Sequence, residues 1–279
     1  MKSILVTGSN GYIGRHVVGV LCNSSNFKVI TLDISDGSNS GVEQHIKADL
    51  FDASFSLGQY LTTPPDVCLH LAWRNGFNHN VFSHIEDIPR HAAFLNSVFE
   101  FGVKQVAAMG SMHEVGYWEG AIGEDTPCNP QSYYGIAKLA LRQCLFTLAS
   151  KHDAVAQWLR GYYIYGDDSR SQSIFGKLLR AAEEGKTSFP FTSGKNMYDF
   201  ISVEVLASQI AACVSQNSYR GIIECCSGNP VSLANRVNDF IRENNLQIEL
   251  KYGEYPDRPY DSPGVWGDAS KIRSILSLR

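Results

Sequence analysis

The sequence lacks the features of several specialised classes of protein. None of its apolar runs reaches the roughly 20 residues that a membrane-spanning helix requires. It contains no block of Lys or Arg, and its formal net charge of −4 argues against nucleic acid or an anionic membrane surface as a partner. Its 279 residues, of which 44% are hydrophobic and 19% charged, instead indicate a globular protein with a sizeable core.

The seven cysteines lack the spacing of a functional cluster. There is no C-x-x-C pair, and Cys225 and Cys226 are adjacent, which suits neither a metal site nor a disulfide framework. Because no group of His, Cys and Asp has metal-ligand spacing, we predict no metal. Cys68 and Cys144 lie inside apolar runs and are predicted to be buried thiols. This cysteine usage favours a reducing, cytoplasmic location.

Short apolar runs alternate with longer amphipathic segments through the first 165 residues. Runs of the β type cover 3–7, 28–33, 66–72, 103–110 and 154–160. Segments with apolar residues at helical spacing cover 14–22, 90–101 and 132–150. This alternation predicts an α/β fold, a doubly wound parallel sheet of the Rossmann type with helices on both faces.

A glycine-rich turn follows the first predicted strand and opens the first helix. In "TGSNGYIG", Gly8, Gly11 and Gly14 form G-x-x-G-x-x-G, one residue longer than the dinucleotide fingerprint. The physical demands are the same: a tight turn, close approach of backbone to a pyrophosphate, and helix amides that face the phosphate charge. By itself, the triplet also fits an ordinary strand–helix turn.

Two acidic residues extend this prediction. Asp33 ends the second strand 19 residues after Gly14, where a carboxylate accepts hydrogen bonds from the adenosine ribose. It also repels a 2′-phosphate, so NAD(H) is favoured as the cofactor and NADP(H) is the alternative. Asp49, in "ADL" at 48–50, is either a contact for the adenine or a polar strand end.

Tyr134 and Lys138 lie one helical turn apart in "YYGIAK". This spacing puts both side chains on one face of a helix. A tyrosine with its ordinary pKa near 10 needs a nearby cation to ionise near neutral pH, and a lysine supplies that field. The pair alone also fits a surface tyrosine stacked on a lysine stem.

The alternation of strands and helices breaks after Gly166. Helical patterns over 173–186 and 203–216 are separated by loop and strand patterns, and the segment 253–268 is rich in Pro, Gly and Asp, as in a functional loop. We predict a dinucleotide-binding domain over 1–165, to which 199–228 returns. A small substrate-binding lobe is predicted over 166–198 and 229–279.

Taken together, these segments resemble the extended short-chain dehydrogenase/reductases, the NAD-dependent epimerase/dehydratase family that acts on nucleotide sugars. The motifs that carry the resemblance are "TGSNGYIG", "HLAW" at 70–73, Ser111, "YYGIAK" and "LRGYYIYG" at 159–166. "YDFISVEVLA" at 198–207 is similar to the family's "RDFIHVDDLA", with Tyr198 in place of the arginine. Two departures are Trp73, where a small residue is usual, and Asp87, where an asparagine is common.

The resemblance implies roles for the site residues. Tyr134 exchanges a proton with the substrate oxygen, Ser111 hydrogen-bonds that oxygen, and Lys138 holds the nicotinamide ribose and lowers the pKa of the tyrosine. The implied cofactor-binding set is Gly8, Asn10, Gly11, Tyr12, Ile13, Gly14, Asp33, Asp49, Leu50, Leu71, Ala72, Tyr134 and Lys138. Arg258, in the Pro-rich segment, is expected to grip the diphosphate of a nucleoside-diphosphate sugar, although it also fits a solvated arginine.

His113 and Glu114 follow Ser111 in "GSMHEVGYW". In the family's dehydratases an Asp-Glu pair carries out elimination, and aligning by "EVG" places Glu114 on that Glu and His113 on the Asp. Aligning by Ser111 shifts the pair by one residue and puts Met112 in the Asp place. Since the acidic pair is broken either way, a dehydratase is disfavoured. His113 is then either a contact for a sugar hydroxyl, or a second acid, or a polar turn cap.

The resemblance implies, first, reduction of a nucleotide-linked 4-keto-6-deoxysugar in polysaccharide or glycan precursor synthesis. The alternative is a 4-epimerase that retains its NAD, and a third reading is an NAD-binding regulator without turnover, which the intact Ser-Tyr-Lys set disfavours. Since helices 90–101 and 132–150 are apolar on more than one face and relatives pair such helices, we also expect a homodimer.

Overall fold

The computed structural model describes residues 1–37, 40–166, 173–257 and 261–278. The helices in this part of the chain are α1 Tyr12–Cys22, α2 Ser83–Glu100, α3 Tyr133–Lys151, α4 Ile174–Glu183, α5 Val203–Ser215, α6 Leu233–Glu243 and α7 Ser270–Leu276. The strands are β1 Lys2–Thr7, β2 Phe27–Asp33, β3 Gln44–Lys47, β4 Val67–His70, β5 Gln105–Ser111, β6 Gly120–Ile122, β7 Val155–Gly161, β8 Tyr163–Tyr165, β9 Ser188–Phe191, β10 Met197–Tyr198, β11 Phe200–Ser202, β12 Gly221–Cys225, β13 Val231–Ser232, β14 Glu249–Tyr252 and β15 Gly264–Gly267.

The main sheet confirms the predicted α/β class. Within the described residues it has seven strands, all parallel, in the order β3-β2-β1-β4-β5-β7-β12. After β1 the chain first builds outward through β2 and β3, and then returns to lay β4 on the other side of β1. The carboxyl ends of β1 and β4 therefore flank the point at which the winding reverses, where folds of this type bind ligands.

The side chains of β1 show why helices cover both faces. Ile4 and Val6 lie in a buried cluster with α1 and α5, whereas Leu5 lies in a second cluster with α2 and α3. Successive residues of a strand point to opposite faces, so a continuous apolar run needs a helical layer on each side. The result is the three-layer sandwich that the sequence pattern predicts.

The helices begin in two different ways. The side chains of four serines accept hydrogen bonds from the first-turn amides of α3, α4, α5 and α6, and these serines are Ser132, Ser173, Ser202 and Ser232. Helix α1 instead begins after Gly11, and no side chain caps it. Helices α2 and α7 also lack a side-chain cap, so such a cap is present at four of the seven helix starts described.

A smaller region stands beyond the carboxyl edge of the main sheet. It contains a four-stranded sheet in the order β13-β10-β15-β6 and the parallel pairs β11-β8 and β14-β9, counting described residues only. Strand β15 lies in the segment 253–268 that the sequence assigned to a loop, because its four residues pair with β6 and β10 from distant parts of the chain. The division into two domains stays a prediction. Across the described ranges, no helix combines the length and the apolarity needed to cross a membrane.

Candidate active site

The carboxyl ends of β1 and β4 meet through polar side chains. Thr7, the last residue of β1, pairs in register with His70, the last residue of β4. The Thr7 hydroxyl and the His70 Nδ1 are 2.8 Å apart and hydrogen-bonded in the buried interior. The backbone amide of Ala72 donates to the same hydroxyl, at 3.3 Å. The segment after β4 is thus fixed against the end of β1.

The glycine-rich turn packs against this segment without space for side chains. Gly8 has φ +67°, and a Cβ there would lie 2.6 Å from the Ala72 backbone nitrogen and Cα. A Cβ on Gly14 would lie 2.1 Å from the Gly8 carbonyl oxygen. Both positions require glycine, the first for its backbone conformation and the second for close packing of helix on turn.

Three features of the turn fit the pyrophosphate of a dinucleotide. The start of α1 has no side-chain cap, and a helix N-terminus beside a glycine turn favours an anion. The Ser9 hydroxyl and the Asn10 side-chain oxygen are buried, and neither has a hydrogen-bond partner within the described part of the chain. Buried polar atoms are rarely left unpaired in a folded protein, so their presence here suits a site that a polar ligand completes.

Asp33 lies beside the glycine turn, and its contact with a ribose stays a prediction. Its Oδ2 accepts from the Asn10 backbone amide at 3.0 Å, which places the carboxylate at the glycine turn. Its Oδ1 accepts from the amide and the hydroxyl of Ser35. Asp49 is exposed, and its Oδ1 accepts from the Phe51 amide in a local turn, while Leu50 beside it is buried. The contact of Asp49 with adenine stays a prediction.

The structure brings Ser111, Tyr134 and Lys138 together. Ser111 ends β5, and its hydroxyl is hydrogen-bonded to the phenol of Tyr134, which stands in the first turn of α3. The Lys138 Nζ lies 5.7 Å from the centroid of the Tyr134 ring and donates to the Met109 carbonyl at 2.8 Å. These are a hydroxyl, a phenol and an ammonium at one strand end, the groups needed to hold an oxygen and exchange a proton with it.

Burial governs the ionisation of Tyr134 and Lys138 in the protein alone. Burial raises the pKa of Tyr134 to about 12, and the hydrogen bond from Ser111 opposes that shift only in part. Burial lowers the pKa of Lys138 to about 7, while the negative charge of Glu114 pulls that pKa upward. In the protein alone, desolvation of the phenolate outweighs the neighbouring charges, and the lowering of the tyrosine's pKa by Lys138 stays a prediction. Tyr134 is a protonated phenol at neutral pH.

Aromatic rings and imidazoles surround Tyr134 on several sides. His79 stacks on the tyrosine ring at 4.9 Å between centroids and an angle of 11°, and its carbonyl accepts from the Tyr134 amide at 3.0 Å. The rings of Trp73, His84 and His113 lie edge-on to it, at 5.9, 5.3 and 6.1 Å. Sequence reasoning missed His79 and His84. The available signal was their density, since His70, His79, His84 and His91 are four of the chain's eight histidines.

The side chains of His113 and Glu114 point to different parts of the molecule. The ring of His113 is half-buried and lies 4.2 Å from that of His79, and no described residue hydrogen-bonds its ring nitrogens. Burial, followed by the neighbouring His79, lowers the pKa of His113 to about 3. An ionisation of His113 near pH 6.5, the value of a free imidazole, is therefore not expected. The imidazole is neutral and available to a hydroxyl group.

Glu114 instead points into the core and has no solvent exposure. Its carboxylate accepts from the indole of Trp158 at 2.8 Å, from Arg160 at 2.6 Å and from Arg142 at 3.1 Å. These three donors occupy the carboxylate, so it has no free oxygen for a substrate. The alignment that makes Glu114 an elimination residue is not supported by this position.

Two other residues that the sequence singled out are Arg258 and Asp87. Arg258 lies outside the described residues. Asp87 is buried and accepts two hydrogen bonds from Arg74, at 2.7 and 2.6 Å, and a third from Arg90 at 3.2 Å. It anchors the segment after β4 to helix α2. In the described part of the chain, no group of three or more His, Cys, Asp and Glu side chains is placed to hold a metal ion.

The chain is similar in sequence to a known protein family and to a curated protein. The family model described as "NAD dependent epimerase/dehydratase family" matches residues 4–223. A curated protein named dTDP-6-deoxy-L-talose 4-dehydrogenase (NAD(+)), from Aggregatibacter actinomycetemcomitans, is 45% identical over 272 residues, 95% of this chain and 99% of that protein.

Two solved structures share the fold. The UDP-N-acetylglucosamine 4-epimerase from Methanobrevibacter ruminantium M1, in complex with UDP-N-acetylmuramic acid, superposes with a TM-score of 0.83 at 23% identity, covering 98% of this chain and 91% of that one. MoeE5 in complex with UDP-glucose and NAD superposes with a TM-score of 0.79 at 25% identity, covering 99% and 92%.

Proposed function

The chain belongs to the NAD-dependent epimerase/dehydratase family, and we propose that it interconverts the 4-hydroxyl and 4-keto forms of a nucleotide-linked 6-deoxyhexose. It is an NAD-dependent oxidoreductase, and NAD(H) is its favoured cofactor. The observation that carries the proposal is the set of Ser111, Tyr134 and Lys138 at the strand end beside an uncapped glycine turn. The name of the relative with 45% identity supports the 6-deoxyhexose and its dTDP carrier.

The protonation state of the Tyr134 phenol suits one direction of the reaction. The relative's name describes oxidation of an alcohol with NAD(+). In this chain Tyr134 is protonated at neutral pH because burial raises its pKa to about 12. A protonated phenol beside the reacting oxygen is ready to give its proton to a ketone, which is the reductive direction. We therefore assign the chain to reduction of the 4-keto sugar at neutral pH, with oxidation as the reverse reaction.

Three side chains, those of Ser111, Tyr134 and Lys138, have different roles in the reaction. Ser111 donates a hydrogen bond to the carbonyl oxygen at carbon 4 and holds it near the phenol. Tyr134 passes its proton to that oxygen as the carbonyl becomes an alkoxide, and an alcohol is formed. Lys138 keeps a positive charge beside the phenolate that is left behind, which limits the cost of forming it. When bound, the cofactor supplies the hydride to carbon 4.

The histidine pair at Tyr134 supports recognition of a sugar. A ring nitrogen of His79 is hydrogen-bonded to the Gly76 carbonyl, and burial lowers the pKa of His79. A neutral imidazole that donates at one nitrogen accepts at the other. His79 therefore presents an acceptor, while His113 keeps both ring nitrogens for a ligand. Hydroxyl groups donate and accept, so adjacent sugar hydroxyls match this pair.

Further parts of the proposal concern assembly and location. We place Arg258 on the substrate's diphosphate. A homodimer through α2 and α3 is supported by two apolar side chains of α3, Tyr133 and Ile136, which are each 41% exposed. Light scattering tests it: we expect a dimer mass for the wild type and a monomer mass for Ile136→Glu. A cytoplasmic location is supported by the seven cysteines, all of which are free thiols.

The test is an assay of the purified protein with dTDP-6-deoxy-L-talose and NAD+, followed by the absorbance of NADH. We expect NADH to accumulate, and the 4-keto product plus NADH to run the reaction backward faster at neutral pH. Tyr134→Phe is the matched inactive control. A 4-epimerase would give another result: conversion of a UDP-hexose to its 4-epimer with retained NAD and no net NADH. That outcome would replace the proposal.

A further inference from the structure

Lys138 is a buried cation without an ion pair. Only 4% of its surface is exposed, and among described residues no carboxylate lies within ion-pair distance of its Nζ. Glu114, the acidic residue that acts on its pKa, is bound by Arg142, Arg160 and Trp158 instead. Burying an ammonium is costly unless another group compensates for its lost hydration.

The compensating group is the indole of Trp73. The Lys138 Nζ lies 3.6 Å from the centroid of the Trp73 rings, within the range of a strong cation–π contact. The Nζ also donates to the Met109 carbonyl at 2.8 Å and lies 5.7 Å from the centroid of the Tyr134 ring. The tryptophan stands at the end of "HLAW", one residue after the backbone that packs on Gly8.

Trp73 is itself held on several sides. Its ring stacks on His91 at 4.5 Å and an angle of 11°, and its indole Nε1–H donates to the His84 Nδ1 at 3.2 Å. Its edge meets the Tyr134 ring at 5.9 Å. A ring fixed in this way presents a defined face to the ammonium and a defined edge to the phenol.

We propose that Trp73 is the positioning residue of this site: its indole face replaces a carboxylate, keeping Lys138 charged and aimed beside Tyr134. This inference rests on the proposed function, in which that charge stabilises the phenolate. Phenylalanine keeps much of the π face, whereas leucine, an apolar side chain nearer in size to phenylalanine than to tryptophan, removes it. The two substitutions therefore separate the electrostatic role of Trp73 from its packing.

The sign of the pH effect follows from the groups around Lys138. His70 on β4 and His91 on α2 are neutral because burial lowers their pKa values, Tyr134 on α3 is protonated, and Glu114 after β5 is ion-paired. Lys138 is thus the group in this set that titrates near neutral pH. The π face favours the charged amine, so its removal lowers the lysine's pKa. The loss of activity on the alkaline side then begins at a lower pH than in wild type.

The experiment measures this in the cofactor-free protein and in the enzyme. In protein labelled with ¹³C-lysine, the Lys138 Cε signal, assigned with Lys138→Met, is titrated in wild type, Trp73→Phe and Trp73→Leu. We expect the midpoint to fall by about one pH unit in Trp73→Leu and by less than half of that in Trp73→Phe. The alkaline limb of kcat should move equally, with little change in KM.

Equal midpoints in wild type and Trp73→Leu overturn the inference, as do equal shifts in the leucine and phenylalanine variants. If Trp73→Leu does not fold, a midpoint in Trp73→Phe that falls by a measurable amount below half a pH unit supports the inference, and either an unchanged midpoint or a full one-unit shift contradicts it. Because the titration needs no substrate, it decides the role of Trp73 even if no sugar is turned over. The proposed function fails separately, by absence of turnover in the wild type.

Discussion

The Arg160 Nε and the Glu114 Oε1 face each other at 2.6 Å, and neither side chain has any solvent exposure. Arg160 also reaches Glu224 at 2.6 Å, and Glu224 accepts from the Tyr162 hydroxyl at 2.7 Å. The network joins Glu114, which follows β5, to strands β7 and β12. It connects the site to the core through ionic contacts.

Glu114→Gln should therefore act on stability. Removing one charge leaves Arg160 and Arg142 partly uncompensated in the interior, and breaking such a buried pair costs roughly 3 kcal/mol. Urea unfolding measures the change, with Glu119→Gln, at an exposed position, as the matched control. An unchanged free energy of unfolding combined with complete loss of turnover would return Glu114 to the catalytic set.

Tyr134→Phe should lower turnover by about two orders of magnitude or more, because it removes the proton donor. NADH binding, measured by fluorescence, should remain nearly unchanged. Tyr133→Phe is the matched control, since Tyr133 precedes Tyr134 and is exposed. A Tyr134→Phe activity within a few-fold of wild type would exclude the assignment.

Asp33→Ala should weaken NADH binding and reduce the preference for NADH over NADPH. The change removes a ribose acceptor and the negative charge that disfavours a 2′-phosphate, and also the bond from the Asn10 amide. Dissociation constants for both cofactors, by calorimetry, measure the effect. Asp52→Ala, at an exposed carboxylate beyond β3, is the control. A wild-type preference for NADPH would contradict this role of Asp33.

His113→Ala should reduce kcat/KM for the sugar about tenfold while NADH affinity stays unchanged, since it removes one contact to a hydroxyl. The acid limb of the rate profile should not move, because the pKa of His113 lies at about 3, well below the assay range. His113→Gln, which keeps hydrogen-bonding atoms, should recover part of the loss. A displaced acid limb in His113→Ala would show that this imidazole titrates during turnover.

Stability should fall as the solution is acidified below pH 6.5. His70 and His91 are held neutral because burial lowers their pKa values, that of His70 from 6.5 to about 3. Below pH 6.5 the unfolded chain binds protons that the folded chain does not, so each imidazole removes about 1.4 kcal/mol per pH unit. Urea unfolding from about pH 6.5 to pH 5 measures the slope. His113, whose pKa burial lowers to about 3, contributes in the same way, so His91→Phe should remove roughly a third of the slope. A slope equal to wild type would assign the dependence to other groups.

Local patterns predicted much of this site, since a glycine turn, an acid at a strand end and a Tyr–Lys pair each occupy a few neighbouring residues. Glu114 shows the limit. Its partners Arg142 and Arg160 lie 28 and 46 residues further along the chain, so only the folded arrangement shows that its carboxylate is already bound.

The same limit explains the other differences. Strand β15 forms because distant strands β6 and β10 flank it, not because of its own four residues. The raised pKa of Tyr134 depends on burial by side chains of the segment after β4, such as His79, whose stacking follows from the path of that segment. Sequence spacing gives the Tyr–Lys distance but carries no information on desolvation.

The missing cap on α1 links the cofactor to the lifetime of the protein. In four other helices a serine side chain accepts from a first-turn amide, whereas α1 has no side-chain cap, and the buried oxygens of Ser9 and Asn10 have no partner among the described residues. A ligand that binds only the folded chain adds about 2.7 kcal/mol to its stability at one hundred times its Kd. A dinucleotide bound at this turn is therefore expected to lower the fraction of molecules that unfold and become accessible to proteases.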